Sequence, residues 1–189
     1  MIATDFPYKT PSECVYTLPI KDFLSKGNLF EYDIKTTIYS VERGIMRHKN
    51  VNFIFNGHII GDIPKDLSYL LASIEKSKSI LFLEDNWDDD GSERYEEATW
   101  SASVKFLLDY AKTLYQDFNV EISAPKIYPG PKGSIDIMWE VEKYRLVVNI
   151  NKNGEDAMFY ADNYKDQITE GVFKLKQFNR FLLPIAIQI

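Results

Sequence analysis

The sequence predicts an α+β fold in which a long amphipathic helix packs on an antiparallel β-meander, with a strand-rich part ahead of it. Three observations predict it. From Trp100 to Phe118 apolar residues recur at three- and four-residue steps, and no proline or glycine interrupts Ser92 to Phe118. From Ile135 to Ala161 three runs alternate apolar and polar residues, separated by short turns. Between Val51 and Ile63 two apolar runs flank Asn56-Gly57, a dipeptide suited to the two positive-φ positions of a type I′ hairpin.

Taken in order, residues 1–16 show no clear periodicity. Pro19 to Lys26 reads as a short helix, with proline at the first helical position and Gly27 as the stop. Tyr32 to Val41 reads as a strand, rich in β-branched residues that alternate in side. After the hairpin, Asp62-Ile63-Pro64 is expected to open a helix whose stripe is Leu67, Leu70, Leu71 and Ile74. Ser77-Lys78-Ser79 is the candidate join between residues 1–78 and 79–189. The apolar Ile80 to Leu83 follows at once, so one continuous domain is the alternative.

The long helix is expected to take Ser92 as its N-cap. Glu93, Glu96 and Glu97 would then face the positive end of its dipole. Its stripe is Trp100, Val104, Leu107, Leu108, Ala111, Leu114, Tyr115 and Phe118, with Lys105 and Lys112 on the polar side. Pro125 to Pro129 leads into the meander, and Gly130-Pro131-Lys132-Gly133 turns the chain. Ile135, Ile137 and Trp139, then Leu146, Val148 and Ile150, then Ala157, Phe159 and Ala161 should form the face under the helix. Glu142-Lys143 and Lys152-Asn153-Gly154 are short enough to make these strands antiparallel neighbours. The opposite face mixes Asp136, Arg145 and Asn149 with Met138, Val147, Met158 and Tyr160. It is too apolar to be wholly wet, and the N-terminal part, the C-terminal segment or another subunit is expected to cover it. Ile168 to Ile189 reads as one more strand, then a short helix ending at Pro184.

Charge is concentrated in one place. Glu84 to Glu97 holds eight acids and one base, Arg94, a local charge of −7, whereas the whole chain carries −6. The rest is therefore near neutral, and the acidic segment is a local field able to steer a partner. An apolar content of 45%, with 14% aromatic, is ample for a packed core. The single cysteine, Cys14, makes no internal disulfide, which suits a reducing compartment. Asp5, Pro7, Pro11 and Glu13 stand where a signal peptide needs apolar residues, and Phe181 to Ile189 is too short for a membrane span. A cytoplasmic protein is expected. Arg43, Arg47, His48 and Lys49 form only a small basic group, so nucleic acid is not an expected partner.

Catalytic residue types are sparse. His48 and His58 are the two histidines, and nothing around Cys14 suggests activation. Gly130 to Ser134 leads into a strand, whereas a phosphate loop needs a helix N-terminus. A cation site has a stronger pattern. Asn86, Asp88 and Asp90, then Gly91, then Glu97 match the spacing of an EF-hand-type loop, which would take calcium or magnesium. Asn86 replaces the usual aspartate, and Glu93 stands where such loops place an apolar residue. The competing reading buries Trp87 as a plug, uses Asp88 to cap backbone N–H groups, and leaves the other acids solvated.

Asn86-Trp87-Asp88 with Gly91, followed by Pro129, Gly133, Ile135 and Trp139, resembles an uncharacterised bacterial family. In that family an Asn-Trp-Asp-x-x-Gly loop precedes a helix, followed by a Pro-x-x-x-Gly-x-Ile/Leu-x-x-x-Trp-type hairpin. The resemblance covers residues 80–165, under half of the chain. It implies a helix-on-sheet unit in which Trp87, Gly91 and Trp139 are structural, and it brings no catalytic residues. The leading expectation is a non-catalytic binding protein, antitoxin- or immunity-like, that engages a protein partner through Asp88, Asp89, Asp90 and Glu93. One alternative is a divalent-metal protein, with or without hydrolase activity. Another is a structural homo-oligomer.

Overall fold

The computed structural model describes residues 49–179 and Leu182. The expected helix at Pro19–Lys26, the strand at Tyr32–Val41 and the helix ending at Pro184 lie outside these residues, as do Cys14, Arg43, Arg47 and His48. The described residues belong to one compact unit. In chain order they form β1 (Asn50–Phe55), β2 (His58–Pro64), α1 (Leu70–Ser77), α2 (Glu97–Phe118), β3 (Lys126–Pro129), β4 (Ile135–Val141), β5 (Tyr144–Ile150), β6 (Asp156–Asp162) and β7 (Ile168–Lys174). Strands β1 and β2 make a hairpin, and β3 to β7 make an antiparallel sheet in sequence order.

The hairpin forms where Asn-Gly predicts it. Asn56 (φ 47°) and Gly57 (φ 79°) take the two turn positions. Phe53 pairs with Gly61 and Ile54 with Ile59, so Ile60 is an extra residue that bulges β2. Phe53 and Ile63 are buried, whereas Ile54 and Ile59 face out. Leu108 of α2 lies over Gly61, so close that a Cβ there would sit 2.9 Å from its Cδ1.

The structure corrects four expectations. Pro64 does not open a helix: β2 runs through it opposite Asn50, and the Lys65 N–H extends the ladder by donating to Lys49 O. The apolar stripe survives in two pieces, a 3-10 turn at Lys65–Leu67 and then α1, with Leu67, Leu70 and Ile74 buried. The long helix begins at Glu97, because local hydrogen bonds hold the chain before it in other conformations. Pro125 to Pro129 is more than a lead-in, since residues 126–129 pair with β4 as an edge strand. Lys112 is not on a wet face; it reaches Asp62 of β2 at 2.7 Å.

Helix α2 lies between the hairpin and the large sheet. On the sheet side it covers the expected residues of β4, β5 and β6, all buried, while Phe106 meets Phe173 of β7 at 5.6 Å between ring centroids. Its end is set by Asn119 in the left-handed conformation. On the hairpin side Trp100 is fully buried, with Phe55 at 4.7 Å and Phe53 at 6.2 Å between centroids. Its indole N–H donates to Ser77 Oγ at 2.9 Å, and the Ser77 hydroxyl donates to Ile74 O at 2.7 Å. The proposed join at 77–79 thus includes a residue of the common core. Trp139 is buried on β4, and its indole N–H donates to Ser123 O at 2.9 Å, which fixes the connection between α2 and β3.

Trp100→Ala is expected to cost about 3–5 kcal/mol in urea unfolding, the range for a buried aromatic truncated in place. Ser77→Ala should cost about 1 kcal/mol, because it leaves the indole N–H unpaired. A loss below about 1 kcal/mol for Trp100→Ala would show that the hairpin and helix are held by other contacts.

Candidate functional site

The acidic segment folds on its own short polar side chains. The Asn86 N–H donates to Ser92 O at 2.6 Å and closes the loop, while the Asp89 N–H donates to Asn86 O at 3.1 Å inside it. Asn86 Oδ1 accepts the Gly91 N–H at 2.8 Å. Asp88 accepts the N–H groups of Asp90 and Ser92 and, at 2.5 Å, the Ser92 hydroxyl. Asp85 Oδ1 accepts the Arg94 N–H at 2.8 Å. Asn and Asp offer the backbone such partners in competition with a helix, which is why Ser92 caps this loop and not α2. Glu96 stands at the helix N-cap with no side-chain cap bond. Gly91 has φ 84°, so a side chain there would be strained although it would touch nothing.

The loop is pinned from behind by Tyr95. This ring is buried, and its hydroxyl donates to Gly130 O at 2.7 Å. Trp87 packs at 6.4 Å from Tyr95 but remains 40% exposed, so the expected plug is instead a half-open ring on the loop surface.

The four acids expected to bind a partner divide by role. Asp88 is committed to the fold of the loop. The Ser92 hydroxyl, helped by backbone N–H groups, outweighs desolvation and holds its carboxyl below the ordinary aspartate range. Glu93 is paired with Lys152 at 2.6 Å, and the same ammonium reaches Glu96 at 3.5 Å. The carboxylates of Asp89 and Asp90, and of Glu84 before them, take no hydrogen bond or ion pair among the described residues. The expected cation ligands do not come together. Asn86 and Asp88 bond within the loop, and Glu97 Oε2 accepts from Asn56 Nδ2 of the hairpin turn at 3.0 Å. Among the described residues no group of three or more His, Cys, Asp or Glu is placed to hold a metal ion.

The outer face of the sheet carries polar contacts that sequence reasoning missed. Arg145 donates through Nε and Nη2 to one oxygen of Asp162, at 3.0 and 2.7 Å. Its guanidinium lies 5.7 Å from the Tyr160 ring and 5.8 Å from the Tyr164 ring. These groups line a shallow hollow of about 200 Å³ with Lys165, Gln167 and Ile168. Burial alone would raise the Asp162 carboxyl, but the Arg145 bond and the Tyr164 N–H bring it below its ordinary range. Arg145 and Asp162 face each other in the β5–β6 register, so a correct strand alignment would have revealed the pair. Further along, Asn149 Nδ2 donates to Asp136 Oδ1 at 2.6 Å and to Ser134 Oγ at 2.8 Å, while the Ser134 hydroxyl donates to Pro131 O. Burial raises the Asp136 carboxyl, only partly opposed by Asn149.

Compared with family models, curated proteins and solved structures, the chain matches none. The resemblance of residues 80–165 to the Asn-Trp-Asp-x-x-Gly family gains no support from a family model. Among the described residues no helix is long and apolar enough to cross a membrane.

Two titrations are expected to follow. Asp88 has a depressed folded pKa, so its contribution is complete above the ordinary aspartate range and is lost as pH falls through the lower folded value. Ser92→Ala should move the Asp88 midpoint upward in a carboxyl carbon NMR titration, and an unmoved midpoint would dismiss the hydroxyl as the cause. Asp136 has a raised folded pKa, so it favours folding at low pH and opposes it as pH rises through the window between the unfolded and folded values. Asp136→Asn should therefore melt no lower than the native chain at neutral pH, and a marked drop would mean that the charge itself is needed.

Proposed function

We propose that this chain is a non-catalytic binding protein whose acidic loop engages a basic surface on a protein partner. The observation that carries this reading is the division of labour in the loop. Asp85, Asn86 and Asp88 hold its shape, while Glu84, Asp89 and Asp90 stay unpaired among the described residues around a half-exposed tryptophan. A loop fixed before binding loses little freedom on association. An aromatic ring ringed by like charge suits an anchor with electrostatic steering. The scarcity of histidine and cysteine supports binding over catalysis. An antitoxin- or immunity-like role, in which one protein holds another, falls within this reading. The single cysteine favours a reducing compartment such as the cytoplasm for the encounter. The cation reading has less support, since Glu97 is engaged by the hairpin turn.

The test is affinity capture from native lysate at low salt, followed by titration of the captured protein. Trp87→Ala is expected to weaken binding by about tenfold or more, as for an interface anchor. The double reversal Asp89→Lys, Asp90→Lys should slow association and abolish its salt dependence. Both variants should melt close to the parent, because Trp87, Asp89 and Asp90 are exposed, with a small cost at Asp89, whose φ of 60° suits aspartate better than lysine. A captured protein that binds both variants as tightly as the native chain would refute the loop as the contact.

A further inference from the structure

The two edges of the large sheet are unlike. β3 is four residues long, follows Pro125 and ends at Pro129. Short length and proline both blunt an edge, since proline has no N–H to offer a further strand. β7 has seven residues and no proline, and among the described residues no strand pairs with its outer side. Its wet face reads Ile168, Glu170, Val172 and Lys174, with Ile168 64% and Val172 72% exposed. Its other face reads Thr169, Gly171 and Phe173, and Phe173 packs on Phe106 and Phe159.

We propose that β7 is a self-association edge, and that two copies of this chain pair there antiparallel about a two-fold axis at Val172. The charge pattern of the strand selects both the partner and the register. With Val172 opposite its own copy, Glu170 faces Lys174 of the other chain, and Lys174 faces Glu170. Two opposite-charge pairs thus flank an apolar pair on the wet face. On the inner face Phe173 comes opposite Gly171, whose side-chain place is taken by the Phe159 ring of its own chain, so the facing rings meet there. Centring the axis on Gly171 would set Glu170 against Val172 and Ile168 against Lys174. Centring it on Phe173 would set Val172 against Lys174. Half-step registers place wet-face residues against inner-face residues and fail for that reason. Glu170 has no ion pair among the described residues, so it is available for this contact. Lys174 holds Asp156, its neighbour on β6, at 2.5 Å, so its ammonium must be shared between Asp156 and Glu170 of the other copy when the edges pair. The pairing is isologous and joins two five-stranded sheets into one. It uses none of the loop residues assigned above, so either reading can fail without the other.

Sedimentation equilibrium of the full chain over micromolar to submillimolar concentration tests this. The native chain is expected to approach twice its 22.0 kDa mass. Glu170→Lys alone should bring lysine against lysine and halve the mass, and Lys174→Glu alone should do the same with carboxylates. An equimolar mixture of these two variants should recover the double mass, because every facing pair is then of opposite sign. Val172→Lys, at an exposed site away from the core, gives a second monomer-forming variant should the loss of the Asp156 contact unfold Lys174→Glu. The proposal is overturned if the native chain stays at 22.0 kDa throughout. It is equally overturned if Glu170→Lys and Val172→Lys remain dimeric, as they would if another surface were used. Loss of Trp87 should leave the dimer unchanged.

Discussion

The structure depends on the burial of Trp100. An indole is large enough to fill the gap between a hairpin and a helix, but its N–H cannot be left dry without cost. Here the ring lies against Phe53 and Phe55, and the N–H finds the Ser77 hydroxyl at the end of α1. One side chain therefore joins three elements: β1, α1 and α2. The hairpin alone would be marginal, since two strands do not make a stable unit in water. Seated on Trp100 and Leu108, it becomes the second wall around α2, opposite the large sheet.

Much of this was legible in the residues, for an identifiable reason. Strands β4 and β5 alternate, with Ile135, Ile137 and Trp139 inside and Asp136 and Met138 outside, and one buried face fixes such a pattern. The Asn56-Gly57 turn was equally clear, because few dipeptides accept two positive φ values. The start of α2 was not. Ser92 followed by glutamates has the chemistry of a cap, yet Asp88 claims the Ser92 hydroxyl and Tyr95 is drawn into the core. Which nearby acceptor wins is a tertiary outcome that spacing does not reveal. The edge strand β3 is not legible in the residues because Pro125 and Pro129 read as a lead-in, whereas an edge tolerates proline. Trp87 departs from expectation for a similar reason: a tryptophan in a loop has the chemistry of a plug, but the ring behind it, Tyr95, fills that place.

The acidic segment shows how one composition can serve two ends. Its charge was readable as a field, but the field is smaller than the count of acids suggests. Asp85 and Asp88 spend their oxygens on backbone N–H groups, and Glu93 and Glu96 share Lys152. What faces outward without compensation among the described residues is a narrow group beside Trp87. The same logic operates on the sheet, where Arg145 lowers the Asp162 carboxyl while Asp136, with no cation beside it among the described residues, is raised by burial. Position relative to a donor decides the state of each carboxyl more than its residue type does.

The prolines at both ends of β3 have a consequence for growth. A sheet with two open sides can extend without limit, each added molecule exposing a fresh site, which is the route to fibres. With one side blunted among the described residues, strand addition is directed to the other, where each molecule accepts one partner. Pairing by that route would end at two molecules, and the prolines beside β3 work against further growth.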